Sequence, residues 1–176
     1  GESHGEAVGA IVDGLPAGLN VNEAFISHQL KLRKSISNIS TPRKESDDFK
    51  ILSGVFNGKT TGTPVCITIS NENMNSKDYS KSYGKARPGH ADFTAFSKYN
   101  GNEDYRGGGH FSGRVTAGLV AVGAVCIDAL KKKNIFIGTH IKKCAGVEDA
   151  KFNDFEESIK SLSAKAFAVV DDAKGE

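Results

Sequence analysis

Residues 112–133 read SGRVTAGLVAVGAVCIDALKKK, and the organisation of the chain is read outward from them. The run is long, apolar and built of small residues. It closes on three lysines, which suit the negative end of a helix dipole, and we read it as a long helix over 112–133. Upstream, Ala7 to Asp13 is a small apolar run ending at Gly14-Leu15-Pro16-Ala17-Gly18, which reads as a buried strand followed by a turn. Asn20 with Glu23 reads as a capping box, opening a helix whose apolar face holds Val21, Phe25, Ile26, Leu30 and Leu32 and which fades near Arg33-Lys34. Lys50 to Phe56 and Pro64 to Ser70 are strand-like, with Asn57-Gly58 between them as a hairpin-turn signal. Ala91 to Tyr99 reads as a short helix, Ile135 to Ile141 as a strand and Phe155 to Leu162 as an amphipathic helix. Helices and strands thus share one α/β domain of α+β type over residues 1–176, expected to be incomplete.

Composition narrows the function. Lys+Arg number 23 against 21 Asp+Glu, so the net charge of +2 excludes a broad polyanion-binding face, and nucleic acid is not the expected partner. No signal peptide is read and no apolar run is judged long enough for a membrane span, so no membrane partner is expected. Cys66, Cys126 and Cys144 are odd in number and lack metal-ligand spacing; a reducing cytoplasm and no metal site are expected. The chain has eighteen lysines but only five arginines, and none of the latter in its last 62 residues. That economy reserves the planar guanidinium for carboxylate or phosphate recognition, unless it is a bias of composition.

The arginines and histidines stand in glycine-punctuated loops. Gly1-Glu2-Ser3-His4-Gly5 places His4 between glycines, either as an exposed reactive imidazole or as a satisfied loop histidine. Arg33-Lys34 and Arg43-Lys44 bracket a Ser/Thr-rich loop, an anion site or simply a solvated basic segment. In Arg87-Pro88-Gly89-His90-Ala91-Asp92, a rigid turn sets Arg87 beside His90, with Asp92 as orienter of the imidazole or as cap of the next helix. Arg106-Gly107-Gly108-Gly109-His110-Phe111-Ser112-Gly113-Arg114 runs from glycines into a helix start, where backbone amides and the dipole favour an anion. Neither the dinucleotide nor the Gly-Lys-Ser/Thr phosphate fingerprint is present. His28 and His140 read as structural. The set suits a substrate with several negative charges and a proton-transfer step.

These blocks, in this order, resemble the chorismate synthases from residue 1 to 176: Gly-Glu-Ser-His-Gly, Ile11 to Gly18, Thr41 to Asp47, Ile51 to Pro64, Arg87 to Asp92 and Tyr105 to Gly109. The resemblance implies a β–α–β sandwich and a lyase that eliminates phosphate from 5-enolpyruvylshikimate 3-phosphate. Chorismate would form with reduced FMN and no net redox change, on the way to the aromatic amino acids. It implies His4 as the histidine protonating the flavin and His90 as the acid serving the departing phosphate. Arg33, Arg43, Arg87 and Arg114 would hold substrate anions, and His110, Phe111 and Ser112 would contact the flavin. It further implies a homotetramer, and in some members NADPH as reductant. The family's fourth block usually reads Gly-Gly-Gly-Arg-Ser-Ser-Ala-Arg-Glu-Thr, so His110 here replaces an arginine and Arg114 keeps one. Family members run to about twice this length, with a catalytic aspartate beyond Glu176. The 176 residues are accordingly expected to be an N-terminal portion, truncated at both ends, with apolar surface uncovered and no activity alone. Two other readings stay open: a flavin- or phosphate-binding module without lyase activity, and an inactive remnant.

Overall fold

A computed structural model describes residues 1–34, 45–73, 79 and 84–175. Arg43, one of the expected substrate arginines, lies outside them. The described residues divide into two compact units, the first within 1–129 and the second from Leu130 onward.

The first unit is built on a three-stranded antiparallel sheet. β1 (Ala7–Val12) and β2 (Phe49–Ser53) flank β5 (Val65–Ser70), giving the order β1-β5-β2. Register pairs Val8 with Ile69, Ala10 with Ile67 and Phe49 with Ile69. Because side chains alternate along a strand, Val65, Ile67 and Ile69 all point to one face, and all three are fully buried. Two helices contribute to the same core. α1 (Glu23–Leu32) offers Ile26 and Leu30, one turn apart; α3 (Thr116–Lys131) offers Ala117, Ala121, Ala124 and Val125. A Cβ on Gly118 would sit 2.5 Å from the Gly9 backbone, so the small residues of α3 are what lets the helix lie directly on β1. Burial of the two large α1 side chains contributes roughly 1.5–3 kcal/mol each.

Several expectations change here. The cap of α1 is Asn22, whose Oδ1 accepts from Phe25 N–H at 3.0 Å; the backbone of Asn20 instead bridges to Lys59. Asn57 and Gly58, at φ 49° and 71°, close a two-residue turn between β3 (Val55–Phe56) and β4 (Lys59–Thr60), so the hairpin is local and does not join β2 to β5. Gly54, at φ 79°, ends β2 before β3 begins. The segment Gly113–Lys131, with a window of mean hydropathy 1.6, is long and apolar enough to cross a bilayer by length and composition, correcting the reading that no run reaches that size. In the structure the alanine face of this helix belongs to the core. Its Leu119 stands exposed, as do Ile11, Leu52 and Phe56.

In the second unit, residues 135–141 form no strand; β6 (Lys143–Cys144) and β7 (Val147–Glu148) make a short hairpin, and α4 (Phe155–Leu162) starts at the cap Asp154. Ile141 N–H is used in a single backbone bond to Ala168, without a ladder to continue it. The organising group is Asp149. Its carboxylate accepts from the N–H groups of Ala150, Val170 and Asp171 at 2.7–3.0 Å and from His140 Nδ1 at 2.7 Å, and the His140 ring packs edge-on to Phe152. His140 is thus tied into the internal bonding of this unit. Burial disfavours the charge on Asp149, but these donors outweigh it and hold the carboxyl well below the usual carboxylate range. A carboxyl depressed by folding stabilises fully above its ordinary value, near ~4, and loses that contribution as pH falls toward the lower folded value. Acid titration of the full-length protein will thus show a steeper stability loss below about pH 5 for wild type than for Asp149→Asn. Equal slopes in thermal melts from pH 7 to pH 3 would exclude Asp149 as the titrating group.

Candidate active site

The glycine run Arg106–Phe111 is not a smooth helix entrance. It forms 3₁₀ turns broken by three successive left-handed residues, Gly107, Gly108 and Gly109, at φ 61°, 91° and 53°. Only glycine adopts such a run without strain. The absence of side chains also makes room for two imidazoles. A Cβ on Gly107 would fall on the His4 ring, and one on Gly108 would lie 2.8 Å from His90 Nε2. Two histidines separated by 86 positions are therefore seated on consecutive residues of one loop.

His4 is buried and meets Tyr79 edge-on at 5.1 Å. Its loop is folded back by the Gly5 N–H bond to Glu2 O at 3.0 Å and joined to the glycine run by Ser3 N–H on Gly109 O at 3.1 Å. His90 is half-buried, with Nδ1 2.5 Å from Asp92 Oδ1. Nδ1 also lies 3.1 Å from Arg87 Nη2, which can only donate; the shorter contact, to a carboxylate that only accepts, assigns the Nδ1 proton to Asp92 and leaves Nε2, on the Gly108 side, as the atom for chemistry. Arg87 grips the same carboxylate through Nε at 2.7 Å and Nη2 at 2.8 Å, and its backbone N–H adds a third bond at 2.9 Å. This grip holds the Asp92 carboxyl well below the usual carboxylate range and raises the Arg87 guanidinium, with burial opposing both. Asp92 is hence the orienter of His90. It is the first residue of α2 (Asp92–Tyr99), whose cap position is Ala91, so the capping alternative does not hold.

Arg33 and Arg114 converge elsewhere, on Asp47. Arg33 Nη1 reaches Asp47 Oδ2 at 3.1 Å, and Arg114 Nη1 pairs with Oδ1. Arg114 also donates from Nε to Asn71 Oδ1 at 2.8 Å and from Nη2 to Ser70 O at 3.0 Å. Its side chain is only 4 % exposed. Three of the five guanidinium N–H groups are thereby engaged. Arg106 is paired with Asp104 through Nε at 2.8 Å and Nη2 at 2.7 Å, which lowers the Asp104 carboxyl.

His110 and Phe111 are exposed and line a cavity of about 650 Å³ with Phe93, Phe96, Tyr99, Tyr105, Lys85 and Arg87. Ser112 is not part of that lining. Its hydroxyl accepts from Arg114 N–H at 3.3 Å and caps the 3₁₀ turn Gly113–Val115 that leads into α3. Glu2 and Glu103 also face the cavity, each with a buried Oε2 that has no hydrogen-bond partner among the described residues. Among those residues no cluster of His, Cys, Asp and Glu suits a metal ion.

The structure thus brings His4, His90 and Arg87 to the glycine loop, places His110 and Phe111 on an aromatic cavity beside it, and puts Arg33 and Arg114 on a buried carboxylate. Sequence reasoning missed Asp47, Asn71 and Tyr79. The only trace of the first was its place in the block from Thr41 to Asp47; Asn71 and Tyr79 carried none.

The family profile described as chorismate synthase matches residues 1–176. Named chorismate synthases are similar: that of Thermococcus kodakarensis is 47 % identical over 148 residues, covering 84 % of this chain and 42 % of its own length. That of Dehalococcoides mccartyi is 53 % identical over 148 residues, 84 % and 41 %; that of Sulfurimonas denitrificans is 50 % identical over 163 residues, 92 % and 45 %. A solved crystal structure of a chorismate synthase superposes with a TM-score of 0.69 at 30 % identity, covering 99 % of this chain and 47 % of that one. The chain spans less than half the length of these relatives.

Proposed function

This chain belongs to the chorismate synthase family and has an α+β fold, and from that premise we propose that it furnishes the two-histidine part of a lyase active site. The reaction breaks the carbon–oxygen bond to phosphate in 5-enolpyruvylshikimate 3-phosphate, removes a ring proton and forms the new double bond of chorismate. Inorganic phosphate leaves with the electron pair of the broken bond. The observation that carries the reading is the seating of His4 and His90 on Gly107 and Gly108, with Arg87 beside His90.

The chain's own residues account for three needs of such a reaction. Elimination of phosphate needs an acid, and histidine is the side chain that most often serves as one. A substrate with two carboxylates and a phosphate needs cations; Arg87 lines the cavity and supplies a guanidinium whose Nη1 takes no part in its grip on Asp92 among the described residues, Arg43 is a further candidate, and Arg33 and Arg114, paired with Asp47, would act from the neighbouring segment. The His90 ring needs a fixed orientation so that Nε2 faces the reacting group, and Asp92, itself held by Arg87, imposes it through Nδ1.

The aromatic walls of the cavity and the unpartnered Glu2 Oε2 fit a planar ring bearing N–H donors. FMN would be held there by His110 and Phe111, with Lys85 and Arg87 as the nearby cations and Ser112 acting through its cap. Reduced FMN, when bound, supplies an electron-rich partner to the elimination without net redox change. Use of NADPH as reductant, a cytoplasmic location and a homotetramer follow the family pattern and belong to the same proposal. Anaerobic assay of the full-length protein with reduced FMN tests it: chorismate and phosphate should appear in equal amounts, and neither appearing would overturn it.

Arg87→Lys in the full-length protein keeps the charge but loses the fork. A charge-assisted contact contributes about 1.5–3 kcal/mol, so substrate affinity should fall roughly ten- to hundred-fold. An unchanged dissociation constant at fixed salt would remove Arg87 from the site.

A further inference from the structure

The loop that carries Ser3 and His4 belongs to no strand or helix, so contacts from other segments set the position of the His4 ring. We propose that Asn71 is a positioning residue for His4, acting as a clamp across its loop; the inference rests on the catalytic reading of that histidine. Asn71 directly follows β5 and is buried. Its Nδ2 donates twice, to Glu2 O at 3.1 Å and to Gly5 O at 2.9 Å, so one carboxamide holds the two ends of the turn that carries Ser3 and His4. The Asn71 backbone N–H adds a bond to Glu6 O at 3.0 Å.

The orientation of the carboxamide is unambiguous. Arg114 Nε can only donate, so the atom facing it at 2.8 Å is the oxygen; Glu2 O and Gly5 O can only accept, so the atom facing them is the nitrogen. Arg114 is itself fixed by Asp47, which Arg33 holds from the other side. The arrangement therefore runs without a break from the end of α1 to the His4 loop. A carboxamide bound on three sides has one geometry, and the loop it closes inherits that geometry. The inference concerns where the His4 ring is held, so it predicts an effect on turnover more than on substrate binding.

Asn71→Asp in the full-length protein is the discriminating variant. The new carboxylate still accepts from Arg114, which favours folding, but sets oxygen against Glu2 O and Gly5 O and abolishes the clamp. Asn71→Ser, which can donate one hydrogen bond, serves as a second variant. We expect kcat to fall about ten- to hundred-fold for Asn71→Asp and less for Asn71→Ser, with KM within about threefold of wild type, the range of a small misplacement of a reacting group. In a His4→Ala background, Asn71→Asp should cost little more, because both changes act through one side chain. Nuclear magnetic resonance of the His4 ring should show shifted imidazole signals in Asn71→Asp. Unmoved His4 signals, or an equal loss of kcat with and without His4, would overturn the proposal. If His4→Ala alone leaves turnover intact, the catalytic reading of His4 falls, while the ring signals still decide whether Asn71 positions it.

Discussion

Replacing His90 by alanine in the full-length protein is expected to lower turnover by roughly 10²–10⁴, the range for loss of a positioned general acid or base. The expectation rests on three contacts that leave His90 one orientation: Nδ1 to Asp92, Asp92 to the Arg87 fork, and Nε2 against Gly108. An imidazole locked so completely at one nitrogen presents the other to a reacting group. His28 supplies the control. It lies exposed on α1, and His28→Ala should leave turnover within about twofold, as surface changes usually do. Steady-state assays on both folded variants under reducing conditions check the result. Equal turnover in the two would show that His90 is not a catalytic group.

Gly107→Ala should be nearly as damaging, although it adds a single methyl group. At φ 61° an alanine carries a strain of about 1–2 kcal/mol, and its Cβ would occupy the position of the His4 ring. The ring must move, and a displacement near 1 Å at a reacting group costs on the order of 10² in rate. Stability should suffer less than activity, since the loop is partly exposed and the sheet core is untouched. Thermal melts and turnover measured on the same preparation separate the two effects. Turnover within threefold of wild type would mean that His4 is not seated on this glycine in the working enzyme.

The two variants probe features that differ in how legible they were. The Arg87-Pro88-Gly89-His90-Ala91-Asp92 turn is local: its charged groups lie within six residues, and the orienting role of Asp92 could be named as one of two options from spacing alone. The seat of His4 on Gly107 links residues more than a hundred apart, and spacing has nothing to say about it. The same division runs through the fold. β1, β5, α2 and α4 lay where alternation, helical spacing and turn residues put them. The strand expected over 135–141 did not form, because an apolar run becomes a strand only where a neighbouring edge accepts its hydrogen bonds, and here one bond to Ala168 is made. The cap of α1 moved from Asn20 to Asn22 for a related reason: the bridge to Lys59 takes the Asn20 backbone, a long-range partner invisible in the local pattern.

Arg114 shows how burial redirects a residue whose type was read correctly. A guanidinium after a glycine loop is expected to meet an anion, and it does meet one, the carboxylate of Asp47 within the protein. Whether a side chain in such a block faces solvent or the interior depends on what packs over it, and Asp47 and Asn71 come from other segments. What the sequence alone determined is the set of local elements and the reactive groups placed on tight turns, because backbone sterics and side-chain period act over a few residues. Only the tertiary structure decided which of those groups share a site: two imidazoles on one glycine step, and a clamp from Asn71 on the first. Those meetings follow from the packing of strands and helices, which places residues together according to shape and hydrogen-bond partner rather than to their distance along the chain.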